Sequence, residues 1–370
     1  MTLVSILGDF HSSILPIFFE FKDKITKHII VYDDSKYDQL QFDKILKGQY
    51  YFLENHEDHE SNIKVEFQII SMKINEDKYD DILECYDSII KHSLNPKDIY
   101  LNTTDGLSSV AIVLGDKLLD YGANIISYDR YANTYNLHTK NSMKKFNIKN
   151  NIDIKNHLKL IGYEILGYTN KFELQNRKEI ILELTKDLTN YKKFVDLLQK
   201  NSIHNINGFD NYKNLLSKID KQNDRPFIQG TVFEEYIYHL LKDNIEFDEI
   251  MTSVSIEFNP NFINELDILM IKDNHLHTIE CKFVNNLDGE HYVYKTNSII
   301  DYLDNDGKAM ILSIGGDNTK ITKSGNKKFQ FSLGTKARAR NGNIKIHQSK
   351  VFYENEFLAD VRDWFFAKLH

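Results

Sequence analysis

The chain has 370 residues, a length typical of two domains. Hydrophobic residues make up 41% of it and aromatic residues 12%, which is enough to form sizeable cores and excludes a wholly disordered chain. Its 46 basic and 54 acidic residues give a net charge of −8, which excludes a uniformly basic surface for nucleic acid but allows a local basic patch.

The sequence contains two cysteines, Cys85 and Cys281. This number excludes a disulfide framework and a cysteine-rich zinc site, and it predicts a cytoplasmic protein. No apolar run approaches about 18 residues, so no membrane span is expected. The segment Met1–Asp9 lacks the basic region of a signal peptide.

Residues 1–145 alternate short apolar runs with amphipathic segments. The apolar runs predict five strands, at Thr2–Leu7, His28–Tyr32, Val65–Ile70, Asp98–Asn102 and Asn124–Asp129. The amphipathic segments predict helices at Ile14–Lys24, Lys78–His92 and Ser108–Tyr121. Strands separated by helices predict an α/β domain with a mainly parallel sheet.

Residues 146–225 are polar and contain few strand signals, which predicts a helical connector. Its expected helices are Lys155–Tyr168, Glu179–Gln199 and Tyr212–Ile219. Residues 226–370 return to an α/β pattern and form the third predicted region. Its expected elements are a helix at Gly230–Lys242, strands at Val254–Phe258, Ala309–Ile314 and Ile344–His347, and helices near Ser298–Leu303, Lys336–Asn341 and Glu356–Lys368.

The most informative segment is a predicted hairpin from Asn264 to Phe283. Two apolar-rich runs flank Asp273-Asn274, and both residue types tolerate positive φ, so a tight two-residue turn is expected there. Counting outward from that turn, Asp267 lies directly opposite Glu280. Lys282 shares the face of Glu280, because strand side chains repeat every two residues.

Two opposed carboxylates repel each other unless a cation compensates them. A hard divalent cation, Mg²⁺ or Mn²⁺, takes oxygen ligands of this kind. Lys282 beside them can position a water molecule or stabilise charge on a phosphate, so the arrangement suits phosphodiester hydrolysis. The alternative interpretation is a salt-bridge ladder on the surface of the sheet.

The helix predicted at Gly230–Lys242 carries Glu234 and Glu235 near its start. One interpretation is that both residues favour the positive end of the helix dipole. The other is that one of them faces the hairpin and adds a third carboxylate to a metal site. We predict Glu234 for that role, because it follows Phe233, a residue of the expected core stripe.

Residues 226–345 resemble the PD-(D/E)xK nuclease superfamily. The matching motifs are a G-x-x-x-E helix at Gly230–Glu234, N-E-x-D at Asn264–Asp267 and E-x-K at Glu280–Lys282, followed by a short arginine helix near Lys336–Arg340. The resemblance implies that Asp267 and Glu280 bind the metal ion and that Lys282 assists the attacking water. With Glu234 as the third carboxylate, these are the predicted catalytic residues.

Residues 319–350 contain nine basic residues and no acidic residue. A solvated loop is one interpretation, but beside a phosphodiesterase site we expect contacts with the nucleic-acid backbone, which carry little base specificity and suit DNA or RNA. The predicted contact residues are Lys327, Lys328, Lys336, Arg338 and Arg340. His291, Tyr292 and Tyr294 could stack on unpaired bases, although core or rim packing is the favoured interpretation.

Two polar loops follow predicted parallel strands in the N-terminal region, where open α/β sheets bind ligands and helix N-termini attract phosphates. They suit a nucleotide or phosphodiester ligand, with ordinary helix capping as the alternative. The predicted binding residues are Gly8, Asp9, Phe10, His11, Asn102, Thr103, Thr104, Asp105, Gly106, Leu107 and Ser108. No G-x-G-x-x-G motif is present, so a dinucleotide cofactor is not expected.

Combined with the nuclease half, this pattern resembles the CARF (CRISPR-associated Rossmann-fold) domain and the CARF-nuclease effectors of type III CRISPR systems. Asn102-Thr-Thr-Asp-Gly occupies the place of that family's N-x-T-G-G-type loop. The resemblance implies a Rossmann-like sensor in a homodimer that binds one cyclic oligoadenylate, with cyclic tetra-adenylate expected. Binding would activate cleavage of DNA or RNA in antiviral defence.

Other functions remain open. A standalone restriction or repair nuclease would use the N-terminal domain to recognise DNA and would need no small ligand. A nucleotide-sensing regulatory protein with an inactive nuclease domain would bind its ligand without cutting. A sensor domain that degrades its own activator is a further alternative, for which His11 is the candidate base.

Overall fold

The computed structural model describes residues 1–8, 11–33, 35, 39–55, 68–93, 95–104, 106–199, 201, 203–259, 262–283, 288–304, 307–314, 319–321, 327–329 and 331–366. The chain divides into two compact units, the first built mainly from Met1–Glu164 and the second mainly from Ile165–Tyr302 and Asp306–Ala367. Among the helices of the described residues, none is both long and apolar enough to cross a membrane.

The first unit contains one seven-stranded sheet. Its strands are β1 (Thr2–Ile6), β2 (Lys27–Asp33), β3 (Gln68–Ile74), β4 (Ile99–Asn102), β5 (Asn124–Asp129), β6 (Thr134–Thr139) and β7 (Ser142–Asn147). They lie in the order β3-β2-β1-β4-β5-β6-β7, parallel from β3 to β5 and antiparallel from β5 to β7. The strand order therefore reverses between β1 and β4, and this position is the topological switch point of the sheet.

The helices of the first unit are α1 (Leu15–Glu20), α2 (Gln39–Asn55), α3 (Tyr79–His92), α4 (Ser108–Tyr121) and α5 (Ile154–Leu160). Apolar residues of the central strands, such as Ile6 and Leu101, form one core with Ile89 of α3 and Leu114 of α4. The predicted α/β fold with a mainly parallel sheet is confirmed.

Three elements of this unit were not predicted, namely helix α2 and the two strands β6 and β7, which form a hairpin. In α2, Phe42 and Ile45 are buried whereas Tyr50 and Tyr51 are exposed, so its aromatic residues do not mark a single face. Every residue of β7 is exposed, and an unburied strand lacks the apolar alternation that identifies strands in a sequence.

The second unit contains a six-stranded sheet in the order β15-β12-β11-β10-β9-β8. Its strands are β8 (Glu164–Gly167), β9 (Glu249–Asn259), β10 (Phe262–Lys272), β11 (His275–Lys282), β12 (Ala309–Ile314) and β15 (Ile344–Ser349). A separate ribbon pairs β13 (Thr319–Ile321) with β14 (Lys327–Phe329). The helices are α6 (Lys171–Thr185), α7 (Leu188–Leu198), α8 (Asp210–Ser217), α9 (Val232–Asn244), α10 (Gly289–Leu303), α11 (Leu333–Asn341) and α12 (Glu354–Phe365).

Helices α6 to α8 belong to the main core of the second unit. Leu184 of α6 and Tyr191 of α7 are fully buried in the same apolar cluster as Phe233 of α9 and Ile279 of β11. A smaller cluster on the other face of the sheet joins Val293 of α10 to strands β12 and β15. The domain boundaries at residues 145 and 225 stay predictions.

Two helix predictions in the 146–225 region are wrong. The predicted helix Lys155–Tyr168 ends at Leu160, where the Tyr163 amide donates to the carbonyl oxygen of Leu158 at 2.8 Å, and β8 follows. The predicted single helix Glu179–Gln199 is two helices, because the side chain of Asp187 caps the start of α7 by accepting from the Asn190 amide.

Candidate active site

The predicted hairpin and its register are confirmed. Asp273 and Asn274 form the turn with φ values of 51° and 67°, and strands β10 and β11 pair from Lys272↔His275 to Ile268↔Ile279. Asp267 and Glu280 are the next residues beyond that last pair. The amide of Cys281 donates to Asp267 Oδ2 at 2.7 Å, which fixes the carboxylate against the neighbouring strand.

Strand alternation separates apolar from ionised side chains on β11. Ile279 and Cys281 contribute to the apolar core on one face of the sheet. Glu280 and Lys282 therefore point to the opposite face, where α10 lies close to them. The charged cluster and the apolar core thus contain alternate residues of the same strand.

Lys282 joins the two carboxylates of the hairpin. Its Nζ lies 3.1 Å from Asp267 Oδ2 and 2.8 Å from Glu280 Oε1. Lys295 of α10 adds a second ammonium group 3.4 Å from Glu280 Oε1. Asp267 is only 7% exposed and Glu280 only 4%, so the cluster is not a salt-bridge ladder on an open surface.

The electrostatics of the cluster depend on burial and on close like charges. Burial, together with the charge of Glu280, raises the pKa of Asp267 above its ordinary value, and Lys282 opposes that rise. Burial and the charge of Asp267 likewise raise the pKa of Glu234. Burial alone would lower the pKa of Lys282, but Asp267 and Glu280 hold it above its ordinary value. The carboxylates of Asp267, Glu280 and Glu234 would therefore stabilise a further cation bound beside Lys282.

Glu234 and Glu235 are neighbours on α9 with different partners. Glu234 accepts a hydrogen bond from Ser253 Oγ at 3.4 Å and is close enough to Asp267 to raise its own pKa. Glu235 is fully buried and forms a two-pronged ion pair with Arg177 of α6. Glu234 thus lies near the hairpin carboxylates, whereas Arg177 holds Glu235, and the metal-site role of Glu234 stays a prediction.

Gly230 explains the spacing of the G-x-x-x-E motif. It lies in a π-helical turn, Phe227–Thr231, that leads directly into α9. A Cβ atom at this position would lie 3.3 Å from Glu234 Oε1, so any larger residue would crowd the carboxylate. A glycine four residues before the glutamate leaves room for that carboxylate beside the backbone.

The donor set fits a hard divalent cation. All three acidic side chains offer only oxygen, the ligand that Mg²⁺ and Mn²⁺ prefer, and repulsion between them favours a bound cation. Within the part of the chain that the structure describes, no three His, Cys, Asp or Glu residues converge on one point as metal ligands. Mg²⁺ commonly binds through one or two carboxylates and completes its coordination with water, so Asp267 and Glu280 suffice chemically.

The predicted nucleic-acid contacts differ in their surroundings. Lys336 and Arg340 are exposed on α11. Arg338 is exposed too, but its Nη1 lies 2.7 Å from Glu290 Oε1, and its guanidinium lies 4.7 Å from the ring centre of Tyr294. Lys327 and Lys328 lie on β14, and their side chains are outside the described residues.

The two predicted activator loops follow β1 and β4, at the switch point of the first sheet. Gly8 follows β1 and His11 begins a short 3₁₀ turn, while Asp9, Phe10 and Asp105 lie outside the described residues. A Cβ atom on Gly106 would lie 2.8 Å from Cβ of Ile6, so the second loop packs directly against the end of β1. Leu107 and Ser108 then begin α4.

Asn102 organises the second loop. Its side chain is fully buried, and its Oδ1 accepts from the Thr104 amide at 3.1 Å and from the Thr104 hydroxyl at 2.5 Å. Thr103 donates its hydroxyl to the Ile126 carbonyl at 3.2 Å. These bonds fix residues 102–104 in a turn at the end of β4.

Two polar residues around the site were not predicted, Lys295 and Arg177. Lys295 was missed because the helix that carries it was expected only near Ser298, whereas α10 begins at Gly289. Arg177 pairs with Glu235 across 58 residues of sequence, and no local pattern indicates that contact. An earlier start for α10 would have placed Lys295 on the same helix as Tyr292 and Tyr294.

The structure places the acidic residues and the lysine of the hairpin beside the G-x-x-x-E helix, which is the arrangement that the resemblance to PD-(D/E)xK nucleases predicts. Residues 220–349 match the family model of the Card1-like endonuclease domain. This segment of the second unit is therefore similar to that endonuclease domain. A search of curated protein sequences finds no match to the chain.

Solved structures share the fold of nearly the whole chain. Can2 from Sulfobacillus thermosulfidooxidans, in complex with cyclic tetra-adenylate, is 18% identical with a TM-score of 0.68, covering 98% of this chain and 98% of that one. Protein VC1899 from Vibrio cholerae is 15% identical with a TM-score of 0.67, and the match covers 94% of this chain and 93% of that one. A type III CRISPR defence DNA nuclease activated by cyclic oligoadenylate is 10% identical with a TM-score of 0.50, covering 85% and 45%. The predicted resemblance to the CARF-nuclease effectors of type III CRISPR systems is confirmed.

Proposed function

We propose that this chain is a metal-dependent endonuclease activated by a cyclic oligoadenylate in cytoplasmic antiviral CRISPR defence. The observation that carries the proposal is the buried cluster of Asp267, Glu280 and Lys282, which lies inside the segment that matches an endonuclease family. Burial and a neighbouring carboxylate raise the pKa of Asp267, and groups with such shifts concentrate at functional sites.

In the proposed mechanism, Asp267 and Glu280 would hold Mg²⁺ or Mn²⁺, and Glu234 would act as the third carboxylate through a water molecule on the ion. The bound ion would act as a Lewis acid on the scissile phosphate. Lys282 stays protonated between the two carboxylates, so its role is to orient the attacking water and to stabilise negative charge developing on phosphate. Lys295 restrains Glu280 from the other side.

For the activator we propose cyclic tetra-adenylate, the compound bound in the Can2 complex. The proposed binding segments, Gly8–His11 and Asn102–Ser108, follow β1 and β4, the two strands that flank the switch point, where open α/β sheets bind nucleotides. A homodimer would present these loops twice to one symmetric ring. The ring must bind the active arrangement more tightly than the inactive one if it is to switch activity.

The substrate backbone would contact the basic helix α11. Lys336 and Arg340 are exposed there, and a phosphate could also compete with Glu290 for Arg338. Backbone contacts of this kind do not distinguish one base from another, so both DNA and RNA belong in the assay.

The proposed function is tested by incubating the purified chain with single- and double-stranded DNA and RNA. Each substrate is tested with Mg²⁺, Mn²⁺ or EDTA, and with cyclic tetra-adenylate, cyclic hexa-adenylate or neither. We expect cleavage only with a divalent ion and cyclic tetra-adenylate. Cleavage without any ring would favour a standalone nuclease, and ring binding without cleavage would favour an inactive regulatory protein.

Gly106→Ala is expected to weaken cyclic tetra-adenylate binding about tenfold or more. The added methyl group would overlap Ile6 at the end of β1, so the loop must move away from the switch point. Isothermal titration calorimetry on the full chain measures the change. The matched control is Gly115→Ala in α4, where the added Cβ meets no described atom within 4 Å apart from its chain neighbours and the helix's own backbone. Equal affinities for both variants would contradict the assigned site.

A further inference from the structure

A groove of about 420 Å³ lies between the start of β10 and one face of α10. Phe262 and Asn264 line it from the strand, and Tyr294, Lys295 and Tyr302 are among the residues that line it from the helix. Three of these side chains are large aromatic groups with about half of their surface exposed: Phe262 is 46%, Tyr294 51% and Tyr302 52% exposed. Together these rings provide an exposed apolar surface on which a planar ligand can stack.

The groove adjoins the carboxylate cluster at Lys295. Lys295 lines the groove, and its Nζ lies 3.4 Å from Glu280 Oε1. Phe262 and Asn264, on the opposite wall, lie on β10, the strand that also carries Asp267. A strand of nucleic acid whose phosphate lies beside Lys295 would therefore place its adjoining nucleoside over this groove.

Positive charge accompanies the aromatic rings. The Arg338 guanidinium lies 4.7 Å from the ring centre of Tyr294, and Glu290 anchors that guanidinium at 2.7 Å. Lys295 supplies a second cation at the inner end. A flat apolar surface bordered by cations is the combination that binds a nucleobase together with its phosphate.

We propose that this groove is a subsite for one unstacked nucleobase of the strand that is cut, next to the scissile phosphate. The base stacks on Tyr294 and Tyr302, and Lys295 lies between the base and the carboxylates. This inference rests on the proposed endonuclease function and adds to it a base-binding position. Since every base has an aromatic face, the subsite requires an unstacked base without selecting its identity.

The test uses the full chain, its activator and an oligonucleotide with one main cleavage site. A single abasic spacer is moved along the oligonucleotide one position at a time. For the wild type we expect cleavage to slow about tenfold when the spacer replaces the base beside the scissile phosphate, and to change little elsewhere. Tyr294→Ala should slow cleavage of the intact oligonucleotide about tenfold and lose the position-specific effect of the spacer.

Tyr353→Ala is the matched control, because Tyr353 is 56% exposed and lies outside the groove. It should cut at the wild-type rate and keep the wild-type spacer profile. Tyr294→Phe should retain the stacking surface and cut nearly as fast as the wild type. If Tyr294→Ala lowers the melting temperature, Tyr302→Ala provides the same test from the other ring.

The outcomes separate the inference from the function on which it rests. If the wild type cleaves at the same rate wherever the spacer lies, the base subsite is wrong but the nuclease function stands. The same holds if the fold-decrease in cleavage rate caused by the spacer is equal in the wild type and in Tyr294→Ala. Absence of cleavage by the wild type with every activator and metal would overturn the proposed function itself. If the spacer slows the wild type but has little further effect on the cleavage rate of Tyr294→Ala, the subsite is supported.

Discussion

Glu280→Ala is expected to abolish nucleic-acid cleavage while leaving activator binding unchanged. Glu280 is the residue that both Lys282 and Lys295 contact, at 2.8 and 3.4 Å, and it is one of the two hairpin carboxylates proposed to hold the metal ion. Its loss removes a metal ligand and leaves both lysines without this partner. We expect a fall in cleavage rate of about a thousandfold or more.

The variant should remain folded, because removing Glu280 also removes a charge that raises the pKa of buried Asp267. Cleavage is measured beside calorimetric titration with cyclic tetra-adenylate and a thermal unfolding curve. Glu356→Ala is the matched control, since it makes the same change at an exposed position of α12. Full activity of purified Glu280→Ala would show that the catalytic assignment is wrong.

Arg177→Met is expected to destabilise the second unit by about 3–5 kcal/mol. Arg177 is the cation that pairs with Glu235, whose side chain is 0% exposed. Without the guanidinium, a buried carboxylate must either stay charged without a partner or take up a proton. Urea unfolding of the full chain, followed by circular dichroism, measures the loss.

Two further variants show whether the loss comes from burial. Lys186→Met removes the cation of an exposed pair with Glu183 and should change stability by at most about 0.5 kcal/mol. The double variant Arg177→Met/Glu235→Leu removes both charges and should recover much of the stability lost by the single variant. Equal effects of Arg177→Met and Lys186→Met would contradict a structural role for the buried pair.

The hairpin could be predicted from sequence because its information is local. Asp273 and Asn274 specify the turn, and the turn alone determines which residues of the two strands face each other. The switch-point loops were predictable for a related reason, since alternating strands and helices limit the topology to a few arrangements. Glu234 could be selected over Glu235 from one neighbouring core residue.

The parts that sequence reasoning missed depend on contacts between distant segments. Lys295 reaches Glu280 only because α10 packs beside β11, and Arg177 reaches Glu235 only because α6 packs on α9. The groove could not be predicted either, because its two walls come from segments that are distant in the sequence. Tyr294 resembles any exposed tyrosine until Phe262 of β10 lies opposite it.

The shared core of the second unit limits how its catalytic segment can be transferred between proteins. The family match ends at residue 349 and begins at residue 220, yet Leu184, Tyr191 and Phe357 are fully buried in the same core as Phe233. A fragment cut to the matched residues would expose that core and be prone to aggregate. Recombination, in evolution or in protein engineering, would have to move α6 to α8 and α12 together with the hairpin.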